Sequence, residues 1–167
     1  MRDVTVDEAI IYDSVTLQLN LSNGTFTVMD ATLKDTPFSE TVLDSLSENG
    51  LKVDFYGCAL SGKNQVTCMT KVVALNTDLQ ILAVDRFSAS KLFDNLSNEY
   101  GVSTTTALDK TGPNLSFNII QGIPVEVKFI YTGINSAATS VSAFQPEFRI
   151  LTGANTDIKG NFRDIDF

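Results

Sequence analysis

The chain has no histidine, no tryptophan, only two cysteines and only four prolines in 167 residues. Without imidazole there is no Ser-His-Asp or Cys-His arrangement, no His-based zinc site and no imidazole general base. Phosphate-cradling loops are missing as well: Gly50, Gly57 and Gly62 punctuate strands, and no Gly-x-x-x-x-Gly-Lys-Ser/Thr occurs. Positive charge is scarce, with 12 basic against 20 acidic residues and a formal net charge of -8. The basic residues are scattered singly, so the field repels phosphate backbones and anionic headgroups, which argues against nucleic acid or lipid surfaces as partners. No apolar run approaches the ~18 residues a membrane-spanning helix needs, so membrane insertion is not expected. The N-terminus lacks a basic segment followed by an apolar one, so an exported form implies a signal peptide already removed.

What is present is neutral and apolar. Hydrophobic residues make up 43% and charged residues 19%, leaving Ser, Thr and Asn to cover the surface, a balance common in extracellular all-β proteins. The length suits one hydrophobic core. The expectation is therefore a single domain over 1–167, with an N-terminal extension or subdomain over 1–50 as the alternative.

The stretch Gly57–Tyr100 organises the rest. Cys58 and Cys68 flank a Ser61-Gly62-Lys63-Asn64 turn, and apolar alternating runs over 66–75, 79–84 and 86–93 follow, separated by Asn76-Thr77-Asp78. This reads as a strand-turn-strand meander. The turn places the two cysteines opposite one another on neighbouring antiparallel strands, within bridging reach. A structural disulfide is the favoured reading and two buried free thiols the alternative, since no C-x-x-C spacing supports redox or metal chemistry.

Before this stretch, Val15, Leu17, Leu19 and Leu21 alternate, Asn23-Gly24 follows, and Phe26 and Val28 lie beyond it, the strongest short-range hairpin signal. Phe38, Val42, Leu43 and Leu46 have helical spacing, with Thr36 as cap, Pro37 at the first helical position and Asn49-Gly50 at the exit, which predicts one short helix over 37–48. Leu51–Tyr56 alternates again. After the meander, 103–114 reads as a polar loop that crosses between sheets. Two runs, 115–119 and 125–131, flank Gln121-Gly122-Ile123-Pro124 as a second hairpin, 141–150 is a strand that tolerates Pro146 only at an edge or bulge, and 158–167 closes the chain. About ten short strands at turn spacings of roughly 8–12 residues predict an all-β antiparallel sandwich or barrel. The expected core contains Leu17, Leu19, Phe26, Val28, Phe55, Val72, Ile81, Val84, Phe117, Val127, Phe129 and Phe148.

From about Leu51 onward the chain resembles bacterial extracytoplasmic immunoglobulin-like domains of lipoproteins and exported proteins. The features that carry the resemblance are the Gly57-Cys58 to Val66-Thr67-Cys68 hairpin, Lys91-Leu92-Phe93-Asp94 to Asn98-Glu99-Tyr100, Gly122-Ile123-Pro124-Val125 leading into Val127-Lys128-Phe129, and Phe162-Arg163-Asp164-Ile165. The resemblance implies a secreted, cell-surface or periplasmic immunoglobulin-like β-sandwich that serves as a scaffold or interaction module, with no catalytic residues to carry over.

Some chemistry stays open. Asp54, Asp85, Asp94, Glu99, Asp164 and Asp166 are candidate members of a glycosidase-type carboxylate pair, although four tyrosines and no tryptophan leave few sugar-stacking platforms. Asp94-Asn95-Leu96-Ser97-Asn98-Glu99 resembles part of a calcium loop but lacks its central Gly and bidentate Glu, so an Asx-rich strand turn is expected. Four Asn-x-Ser/Thr matches, at Asn20, Asn23, Asn95 and Asn114, carry little weight in so Asn-, Ser- and Thr-rich a chain. The expectation is a non-catalytic extracytoplasmic binding or scaffold module for an unknown protein or glycan, without cofactor or metal, with 103–114 as its contact surface. The alternatives are a carboxylate-dependent glycan-acting enzyme and a structural subunit of a surface or virion assembly.

Overall fold

In the computed structural model the described residues are 12–20, 25–33, 38–83, 89–153 and 155–166. The chain divides after Thr36 into two compact units. In the first, β1 (Tyr12–Asn20) and β2 (Thr25–Leu33) form an antiparallel hairpin in which Leu17 faces Val28 and Leu19 faces Phe26. Directly opposed residues share a face, so the register agrees with the alternation in the sequence. The Asn23-Gly24 turn, residues 1–11, Asp85, Val84, and the burial of Leu17, Leu19, Phe26 and Val28 lie outside the described residues.

The second unit holds β3 (Asp44–Glu48), β4 (Leu51–Gly62), β5 (Gln65–Ala74), β6 (Leu79–Ala83), β7 (Lys91–Asp94), β8 (Glu99–Gly101) and β9 (Thr104–Ala107). It continues with β10 (Lys110–Gly112), β11 (Leu115–Ile119), β12 (Val125–Thr132), β13 (Ser140–Gln145), β14 (Glu147–Ile150), β15 (Thr156–Lys159) and β16 (Phe162–Asp166). One six-stranded sheet has the order β10-β9-β12-β5-β4-β3, and two four-stranded sheets have the orders β11-β6-β14-β15 and β16-β13-β7-β8. The two small sheets are one layer broken along a line. Pro146 separates β13 from β14, Gly160-Asn161 separates β15 from β16, and β6 and β7 occupy matching places on either side.

Each break has a chemical cause. Pro146 has no N–H to offer a ladder. Its carbonyl accepts the Gly160 amide at 2.9 Å, and the Glu147 amide turns to Ser90 Oγ at 3.0 Å. Gly160 fits only because it lacks a side chain: a Cβ there would lie 2.9 Å from Pro146 Cγ and 3.0 Å from Phe162 Cε2.

The layers meet through aromatic rings. Phe55 of β4 stacks on Phe162 of β16 at 4.6 Å, and Phe129 of β12 meets Phe144 and Phe148 edge-on at 5.5 and 5.6 Å. Such pairs add about 0.5–1.5 kcal/mol each beyond area burial. Phe55, Val72, Ile81, Phe117, Val127, Phe129 and Phe148 are all buried, as the alternation predicts. The fold of this unit is all-β and antiparallel, with layers face to face in the manner of a sandwich.

The structure corrects four expectations. The short helix over 37–48 is absent. Residues 38–43 are irregular, and 44–48 form the edge strand β3, paired to β4 through a two-residue turn at Asn49-Gly50 with φ of 49° and 80°. Left-handed φ at both positions is the tight-hairpin turn that Asn-Gly favours, and it outweighs a helical spacing of only four apolar residues. The meander is broken as well: β4 and β5 pair, but β5, β6 and β7 lie in three different sheets. The second hairpin does not form, since β11 pairs with β6 and β12 with β5 and β9. Finally, 103–114 is not a loop, because β9 and β10 pair within it at the sheet edge and bury Thr105 and Ala107.

Candidate functional site

Cys58 and Cys68 are bonded to one another as directly opposed residues of β4 and β5. A bulge sets this up. Before it, Leu51, Val53 and Phe55 point into the core, and the register shift between Phe55 and Gly57 changes the parity so that Cys58 also faces inward, across from Cys68. Buried against the core, the bridge is a structural staple.

The Asx-rich turn is structural too. The Asp94 carboxylate is buried and accepts the Leu96 and Asn98 amides at 2.9 Å each, the Asn98 side chain at 2.8 Å and the Tyr100 hydroxyl at 2.7 Å. Burial works to raise its pKa, but the bonds from Asn98, Tyr100 and Leu96 outweigh it and hold the carboxyl below its ordinary value. Burial, with the carboxylate beside it, raises the Tyr100 hydroxyl. These oxygens bind the chain's own donors. Among the described residues no group of three or more acidic or cysteine side chains could hold a metal ion.

Of the remaining carboxylates, some are held in ion pairs and three share one hollow. Asp54 pairs with Lys52 at 2.9 Å and Glu99 with Lys91 at 2.8 Å. Asp164 and Asp166 share a hollow of about 390 Å³ with Asp44 and Arg163, between edge strands β3 and β16. Arg149 holds Asp157 across β14 and β15 in a bidentate pair of 2.6 and 3.2 Å, and that bond keeps the Asp157 carboxyl below its ordinary value. Asn95 joins its amide side chain to Thr139 at 3.0 Å.

The feature that sequence reading missed lies at one end of the second unit, where three turns are tied together. Leu75 donates its amide to the Gly50 carbonyl at 2.8 Å, Gly122 donates to the Ala74 carbonyl at 2.9 Å, and the Gln121 amide bonds to Asp78 Oδ1 at 2.8 Å. The turn between β9 and β10 joins them, because Leu108 lines a hollow of about 280 Å³ with Pro124 and Val125. These turns expose Leu75, Leu108, Ile120 and Ile123, at 43%, 63%, 58% and 51%. Leu108 also has φ of 56°, a left-handed conformation rare for a bulky side chain and costing of order 1–3 kcal/mol. From the expected contact segment 103–114, Thr106, Ala107 and Leu108 line this hollow. One sequence signal was available: the Ile119-Ile120 pair ends the alternation of β11, so one of the two must face water.

No protein-family model matches the chain, and no curated protein is similar to it. Among the described residues no helix is long and apolar enough to cross a membrane.

Proposed function

We propose that the protein is a non-catalytic binding module of an extracytoplasmic compartment, an immunoglobulin-like sandwich that meets a protein partner through the turns bearing Leu75, Leu108, Ile120 and Ile123. The observation that carries this reading is Leu108: the most exposed of the large apolar side chains among the described residues, placed at the first position of the two-residue turn between β9 and β10, where the tight hairpin needs a positive φ that a bulky side chain adopts only at a cost. Apolar groups presented together on turns above a rigid sheet scaffold are a common form of protein-binding surface. The Cys58–Cys68 bridge supports an oxidising compartment. It lies within one sheet, unlike the inter-sheet bridge of antibody domains, so the immunoglobulin-like reading rests on the layered antiparallel strands.

A photo-crosslinking residue at Leu108, compared with one at Leu96 in the turn between β7 and β8, tests the surface. The expected result is a discrete adduct from position 108, lost when Ile123→Asp is added. Equal adducts from both positions, or none from 108, would end the proposal. The carboxylate-enzyme alternative would be favoured by glycan cleavage abolished by Asp164→Asn, in the hollow beside Asp44.

A further inference from the structure

The break in the second layer leaves a cleft on its outer side. Proline ends the ladder at 146 and Gly160 closes against it, so β7, β13, β14 and the residues just before β16 diverge around a hollow of about 630 Å³. That volume is within the roughly 300–1,000 Å³ usual for small-ligand sites. Glu147 is 5% exposed, and what it does expose lines the hollow; its ion pair is with Lys159 Nζ at 2.8 Å, itself on a largely exposed side chain. Burying a carboxylate beside one solvent-facing lysine costs stability and is not needed to pair β14 with β15, whose ladder is made by backbone. Beside it the Gln145 side chain donates to Asn161 Oδ1 at 3.2 Å, which leaves the Gln145 oxygen as an acceptor and the Asn161 amide as a donor. Phe93 contributes a half-buried ring.

We propose that this cleft binds a stretch of neutral, hydroxyl-rich glycan. A sugar hydroxyl both donates and accepts, and adjacent hydroxyls are met by neighbouring planar groups of opposite sense, here the Glu147 carboxylate and the Gln145–Asn161 amide pair. The Lys159 ammonium supplies a further donor and Phe93 an apolar face for ring C–H groups. Charge selects against anions. Lys159 is neutralised by Glu147, and Lys91, the other cation of the cleft, by Glu99 at 2.8 Å, while the whole chain carries a net charge of -8. The proposal extends the binding-module reading to a second surface and does not depend on the turns around Leu108, so either can fail while the other stands.

The test is amide-resolved NMR titration of the full chain with maltotriose, cellotriose and triacetylchitotriose, and with a sulfated trisaccharide as the anionic control. At least one neutral trisaccharide should move amides of 89–93, 145, 147 and 159–161 in a saturable way at millimolar concentration. Asn161→Ala, at an exposed position that leaves the fold intact, should weaken that binding at least tenfold, and Glu147→Gln should do the same where the variant remains folded. No shift in the cleft with any neutral sugar, binding of the sulfated sugar alone, or unchanged binding by Asn161→Ala would overturn the proposal.

Discussion

The Tyr100 hydroxyl donates to Asp94 Oδ2 at 2.7 Å and accepts the Asn135 amide at 3.0 Å, so one phenol ties the turn between β7 and β8 to the loop before β13. Asp94 is the centre of this knot. Replacing it with Ala strands the Asn98, Leu96 and Tyr100 donors, and stability should fall by about 3 kcal/mol, measured by urea denaturation. The pH dependence has a definite sign. The folded carboxyl lies below its ordinary value near 3.8, so its contribution is complete above that pH and is lost as pH falls through the folded value. Wild-type stability should therefore decline below about pH 4 more steeply than that of Asp94→Asn. Parallel acid curves for the two proteins would show that the knot adds no acid-sensitive stability.

Gly160 marks where the second layer bends. In Gly160→Ala the new methyl meets Pro146 Cγ at 2.9 Å and Phe162 Cε2 at 3.0 Å, both on rings with little room to yield. Overpacking of this kind costs about 1–3 kcal/mol. The denaturation midpoint should drop accordingly, and an unchanged midpoint would mean that the strands can part at the bend without cost.

The bridge between Cys58 and Cys68 closes a separation of 10 residues across one hairpin. In the chain-entropy description, closing so short a loop stabilises by roughly 2–3 kcal/mol. The Cys58→Ala, Cys68→Ala double variant should lose about that much, and unreduced protein should take up no alkylating label unless it is first unfolded and reduced.

These sites differ in how far the sequence announces them. The β4–β5 hairpin and its bridge are legible because the cysteines and the Lys63-Asn64 turn are local signals. The bulge that turns Cys58 inward is not, since nothing in the alternation of Leu51, Val53 and Phe55 says where its parity changes. Alternation reports faces and not neighbours, so β6 could be found as a strand while its partners, β11 and β14, could not. Asn49-Gly50 was readable as a hairpin turn by the same rule that reads Asn23-Gly24, but four apolar residues at helical spacing masked it. The exposed turns and the cleft escaped for another reason: each draws residues from segments far apart in sequence, Leu108 with Pro124 and Lys91 with Lys159.

Tyr131 of β12 offers a test with the opposite sign. Its ring is buried and meets Phe144 edge-on at 6.3 Å, and its hydroxyl is enclosed with no hydrogen-bond partner among the described residues. An enclosed hydroxyl without a partner costs about 1–3 kcal/mol, so Tyr131→Phe, which keeps the ring and removes the oxygen, should raise stability by about 1 kcal/mol or more. Alkaline pH gives a second readout. Burial pushes the folded hydroxyl well above its ordinary value of 10.0, so the native state keeps a proton that the unfolded chain releases. Wild-type stability should therefore fall as pH rises past about 10, and this site's share of that loss should vanish in Tyr131→Phe. A variant that is less stable at neutral pH would show that the hydroxyl has a partner after all, and identical alkaline curves would show that it is not shielded from water.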